Sequence, residues 1–161
     1  MKTSTENPDL KNQLRVTYTI FYSLITGLLL FFIVVIIFIQ DKDPSVYKEL
    51  DKVFIFIVPV FGLMMMFISR MIYNQMISKL DASSSLIHKL SGYRTAKIIA
   101  WAMIESACLL ALVATMLTSN YLYVAVFIFL FGYFFLMKPS KESLVRDMRL
   151  NSDESEIILK S

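Results

Sequence analysis

The chain has 161 residues, 57% hydrophobic and 18% charged, with a net charge of +3 and a mean hydropathy of +0.62. Soluble domains run near half apolar and a quarter charged, so both departures point away from water. Four windows, 16–39, 53–69, 98–117 and 121–137, together hold 78 residues and a single charged side chain, Glu105, which excludes a water-soluble globule, a disulfide scaffold and a disordered chain.

Residues 1–15 form a polar N-terminal segment expected on the cytoplasmic side. Within it, Asn7-Pro8-Asp9-Leu10 reads as a helix cap followed by proline at the first helical position. A surface helix is therefore expected to open near residue 8 and run into the first span. That span, residues 16–39, is 24 residues long and crosses a bilayer with some tilt. A cleavable signal peptide carries an apolar core of ~7–15 residues close to its start. Here the run is longer and begins only at Val16, so a retained signal anchor is expected.

Residues 40–52 (QDKDPSVYKELDK) are a short polar external loop, with Asp43-Pro44-Ser45 as its turn or helix start. The second span, 53–69, has 17 residues, the lower end of the ~17–25 that a spanning helix uses. It is expected to continue to residue 79 as an amphipathic helix that places Arg70, Asn74, Gln75 and Lys79 at the interface. Pro59 and Gly62 sit where they can kink it. Met64-Met65-Met66 are soft enough for copper. Consecutive helical residues point ~100° apart, however, so three in a row cannot converge on one ion.

Residues 79–97 read as a cytoplasmic connection, with Asp81 and the run Ser83-Ser84-Ser85 as a cap or turn. His88 is the only histidine, which excludes bis-histidine haem within the chain and leaves a surface residue. The third span, 98–117, contains Glu105 eight residues beyond Lys97. That is ~12 Å of helix rise, close to the middle of a hydrocarbon layer ~30 Å thick. A carboxylate there costs ~2.5–3.5 kcal/mol on insertion scales and is a candidate functional group by default. Arg70 is its best partner in the chain by depth, and Asn74 lies one turn below Arg70 on the same face. Three readings of Glu105 stand: a Glu105–Arg70 pair that fixes helix packing, a proton- or cation-handling carboxylate, or a contact with another subunit or a lipid headgroup. Ala102 and Ser106 leave room beside it for another helix. Ala100, Ala107, Ala111 and Ala114 make a separate helix-packing face. The lone Cys108 is expected to be a small packing residue.

Thr118-Ser119-Asn120 joins spans three and four into a tight antiparallel hairpin, with Asn120 expected in the left-handed conformation that ends a helix. The fourth span, 121–137, carries eight aromatic residues. Tyr121 and Tyr123 fit the interfacial aromatic belt, and the others spread around the helix toward lipid or a partner. In the cytoplasmic tail, 138–161, Lys138-Pro139 ends the span and Ser140 caps a short amphipathic helix, KESLVRDMRL. Leu144, Val145 and Met148 form its apolar stripe, suited to the membrane surface or to packing against 79–97. The end, NSDESEIILKS, is expected to be a solvated tail or a docking segment.

Orientation follows from Lys and Arg. Placing both ends on one side gathers thirteen of these residues there and leaves Lys42, Lys48 and Lys52 on the other. The expected topology is therefore an all-α membrane protein with four transmembrane helices and cytoplasmic N- and C-termini. The excess positive charge reads as a topology signal, with no nucleic-acid motif beside it.

Tyr93-Arg94, Ile98-Ile99, Glu105, Thr118-Ser119-Asn120 and Lys138-Pro139-Ser140-Lys141 form a familiar sequence of markers. Over residues 93–141 the chain resembles a group of small, uncharacterised four-span bacterial inner-membrane proteins. These show a Thr-Gly-Asn hairpin and an Arg-Pro-Thr/Ser-Lys exit, from which Ser119 and Lys138 depart. The resemblance implies a bacterial inner membrane and supplies no activity.

With no Ser-His-acid set, CxxC, HExxH or glycine-rich phosphate loop, an enzyme is not expected, and neither a cofactor nor a metal is implied. The expected function is a small multi-pass structural or accessory subunit of a larger inner-membrane assembly. Its partners would be the lipid bilayer and other membrane subunits, or a second copy of itself. The alternative is a small proton- or ion-coupled transporter, in a homodimer or alone, that uses Glu105.

Overall fold

A computed structural model describes residues 8–40, 48–80, 85–148, 150, 155, 156 and 158. The expected cap at Asn7, the turn at Asp43-Pro44-Ser45, and Asp81, Ser83, Ser84 and Arg149 lie outside the described residues. Among those described, all regular structure is helical: α1 (Pro8–Ile39), α2 (Lys48–Ser78), α3 (Leu86–Thr118), α4 (Leu122–Leu136) and α5 (Lys141–Met148). Three of these are long and apolar enough to cross a membrane, or four if α4 and α5 count as one span bent by 73°.

Proline opens α1, where a missing N–H costs nothing and a fixed φ suits the helix. The apolar residues of α1 and α2 then carry on without a break, and both helices leave large side chains such as Leu30, Phe56 and Phe67 exposed. That inverts the pattern of a soluble bundle and suits a hydrocarbon solvent.

The third helix is the centre, packing against α1, α2, α4 and α5. Tyr93, Ala96, Ala100, Ile104, Ala107, Ala111 and Ala114 recur every three or four residues, and each is buried. Small side chains on that face let neighbouring backbones come close. Aromatic rings fill the space between α1 and α4, where Phe21 stacks on Phe134 at 5.4 Å and Phe32 on Phe127 at 5.1 Å.

Two expectations change here. Residues 86–97 are not a connection but the opening turns of α3. Their polar residues masked a helical face on which Leu90, Tyr93 and Ala96 are buried, joined by Lys89 and Lys97, themselves buried. The left-handed residue of the hairpin is Ser119, with φ 56° and ψ 21°, rather than Asn120. Ser119 donates its backbone N–H to the Thr115 carbonyl at 2.8 Å and so closes α3.

The fourth helix has 15 residues, a rise of about 22 Å, short of a ~30 Å hydrocarbon layer. Lys138-Pro139-Ser140 then turns the chain, and α5 folds back over the end of the bundle. Its Leu144 and Met148 pack with Leu14, Leu90, Tyr93 and Ile158 in a second apolar cluster. Of the two positions expected for this helix, it takes the one against residues 79–97.

Candidate functional site

Ionisable side chains on α3 occupy two different surroundings. Lys97 is buried at the end covered by α5. Its amine lies 4.5 Å from the centre of the Tyr73 ring and 5.4 Å from that of Tyr93, so two aromatic faces from α2 and α3 stand in for water. Tyr73 donates to Asp147 of α5 at 2.5 Å, and the Tyr93 hydroxyl pairs with Ser143, also on α5, at 3.1 Å. Arg94 donates to Gln13 of α1. Residues from four helices thus meet at this end through side-chain hydrogen bonds.

Glu105 is different. The positions before and after its turn, Trp101, Ile104 and Cys108, are buried, whereas Ala102 and Ser106 are exposed. Glu105 itself is half-buried, on the edge between the core and the outer face of α3. Ser106 satisfies its own hydroxyl on the Met103 carbonyl at 2.7 Å. Among the described residues no ion pair or hydrogen bond reaches the Glu105 carboxyl. Arg70 and Asn74 are both exposed on α2, and the structure does not bring either of them to Glu105. Residue spacing fixes height along the bundle and relative angle around α2, but not which face turns toward Glu105; Ser69 takes the inward position.

Ala100, Ala107, Ala111 and Ala114 all lie in the α3 core. Cys108 is buried and free. His88 is exposed, and no group of three or more His, Cys, Asp or Glu stands together among the described residues. Met64 is exposed while Met65 and Met66 pack on the core, as divergent directions require.

The opposite end holds a cluster that sequence reasoning misses. Asp51, in the first turn of α2, accepts both of its Asn120 contacts from the amide Nδ2, at 3.0 and 3.1 Å. Tyr123 donates to the same carboxylate at 2.7 Å. Asn120 in turn accepts from the Leu122 N–H at 2.9 Å and starts α4. Tyr123 is therefore buried and fastened, not a member of an interfacial belt; Tyr121 beside it is exposed. The clue is a carboxylate beginning α2 and an amide in a three-residue hairpin, but only pairing in space links them.

Between α2 and α4, Pro59, Gly62, Leu63, Leu122, Ala125, Val126, Phe129 and Leu130 line an open apolar groove of about 330 Å³. Gly62 lets α2 approach α4 closely beside it: a Cβ there would stand 3.1 Å from Leu130.

Compared with protein-family models, curated proteins and solved structures, the chain finds no match. Among the described residues the fold defines a class: helical throughout, with three to four candidate membrane spans, as expected for a membrane protein.

Proposed function

We propose that the protein is a small integral-membrane structural or accessory subunit of a larger assembly, set in an inner membrane with both termini cytoplasmic. The observation that carries this reading is Glu105, half-buried at mid-helix, with small Ala102 and Ser106 beside it on the outer face. A carboxyl at that depth is costly unless protonated or paired. Nothing on the described chain pairs with it, while small side chains beside it admit a second helix. A transmembrane helix bearing a cation or hydrogen-bond donor completes it. The thirteen-to-three division of Lys and Arg supports the orientation.

The test is purification of the full chain from native membrane in mild detergent, with mass spectrometry of what accompanies it. A stoichiometric membrane partner is expected with the unaltered chain and at least about tenfold less of it with Glu105→Ala. The thermal stability of the isolated chain should stay within ~0.5 kcal/mol, because no bond inside it is lost. Recovery of monomer alone from native membrane overturns the proposal.

A second reading draws on the same unpaired carboxyl, which is free to take up and release a proton in a coupled transporter. There Glu105→Gln abolishes transport in proteoliposomes while the chain still folds.

A further inference from the structure

We propose that the rim where α1 meets the α4–α5 bend binds the phosphodiester headgroup of an anionic phospholipid. This site is separate from Glu105 and does not depend on the subunit reading.

Lys138 follows α4 just before the 73° bend and is exposed. Its amine lies 5.7 Å from the centre of the Tyr22 ring, with the Tyr22 hydroxyl within its electrostatic reach. Tyr18 lies one turn below Tyr22 on α1, half-buried, within the electrostatic reach of Lys138. Arg15 continues the same face at spacings of three and seven residues and is exposed, while Lys141 opens α5. Lys138, Tyr22 and Tyr18 thus edge one junction, with Arg15 one turn farther along the same α1 face and Lys141 at the start of α5.

The acid nearby, Glu142, is exposed in the first turn of α5, and its charge reaches Tyr18. Hydrogen bonding within that turn, from its own backbone and from Ser140, holds its pKa below the ordinary carboxylate value. The positive side of the junction includes Lys141, which offsets part of that charge. It is also held in place, since the Trp101 indole donates to the Met137 carbonyl at 3.2 Å immediately before Lys138.

A lipid, rather than a free phosphate ester, fits because apolar surface begins directly beside the cations. Phe135 and Leu136, the last two residues of α4, are 52% and 83% exposed and offer a bed for acyl chains. A phosphodiester oxygen takes donors from the Lys138 amine and the Tyr22 and Tyr18 hydroxyls. A zwitterionic headgroup brings an ammonium toward Arg15, Lys138 and Lys141 and is disfavoured.

The full chain, purified in nonionic detergent, is equilibrated with equal amounts of phosphatidylglycerol and phosphatidylcholine, and bound lipid is counted by native mass spectrometry. The unaltered chain should retain phosphatidylglycerol at least about fivefold over phosphatidylcholine, and Lys138→Gln should lower that preference about fivefold. Tyr22→Phe, which keeps the ring and removes one donor, should lower it by less. Lys52→Gln, at an exposed site on the opposite end, should leave it unchanged. Equal retention of the two lipids by the unaltered chain, or full preference in Lys138→Gln, overturns the proposal. Displacement of phosphatidylglycerol by an equal concentration of glycerol phosphate makes the site one for soluble esters and overturns it too.

Discussion

The two ends of this bundle are closed in different ways. At the hairpin end, one carboxylate gathers everything: Asp51 accepts from Asn120 and from Tyr123, joining the start of α2 to the α3–α4 turn. At the end covered by α5, separate pairs share the work: Tyr73 with Asp147, Tyr93 with Ser143, and Arg94 with Gln13. A closure that converges on one acceptor fails together when that acceptor goes. A distributed closure fails in parts, and α5 can loosen while the spans stay packed.

The largest expected effect breaks the convergent end. Asp51→Ala leaves the Asn120 amide without its acceptor and the buried Tyr123 hydroxyl with only the backbone carbonyl of residue 51, 3.1 Å away, a loss of about 2 kcal/mol, read by thermal unfolding in detergent. Asp51→Ala combined with Tyr123→Phe should cost much less than the sum of the two single changes, because both remove one contact. Full additivity would show that Asp51 and Tyr123 act independently, and the convergent picture would fail.

The distributed end should respond more weakly. Tyr73→Phe removes one hydrogen bond to a carboxylate and should cost about 1.5 kcal/mol. Hydrogen exchange should rise across α5 while α4 remains protected. Equal acceleration in both helices would mean that α5 and the spans form one cooperative unit. The smallest effect has the opposite sign. Ser119→Gly relieves a left-handed backbone and removes a buried hydroxyl that has no hydrogen-bond partner. It should stabilise the hairpin end by about 0.5–1 kcal/mol. A loss of stability there would mean that the Ser119 side chain holds the turn together.

Legibility in the sequence divides along physical lines. Apolar runs are a bulk property, and the helices that carry 16–39, 53–69, 98–117 and most of 121–137 can be read from them. The opening of α3 cannot, because Lys89 and Lys97 look like solvated residues until their burial is seen. Glu105 stands out in sequence by its depth, while its direction around α3 depends on which neighbours claim the alanine face. Asn120 is recognisable as a turn residue, yet its part in the turn is not the one its residue type suggests. Ser119 bends the backbone, and Asn120 contributes its side-chain amide to Asp51 and its side-chain oxygen to the start of α4. Periodicity locates a helix and its faces. It does not say which polar atom on one helix meets which on another.

Trp101 has a use that its packing makes available. It is the only tryptophan in the chain, fully buried, edged by Phe21 at 5.0 Å and hydrogen-bonded to the residue that caps the exit from α4. The protein therefore contains a native fluorophore where α1, α3 and α4 join. Its emission should sit at short wavelength while that junction is dry, and move to the red when the α4 exit parts from α3. No label is needed to watch the bundle open at this point, and the signal arises from a single known position.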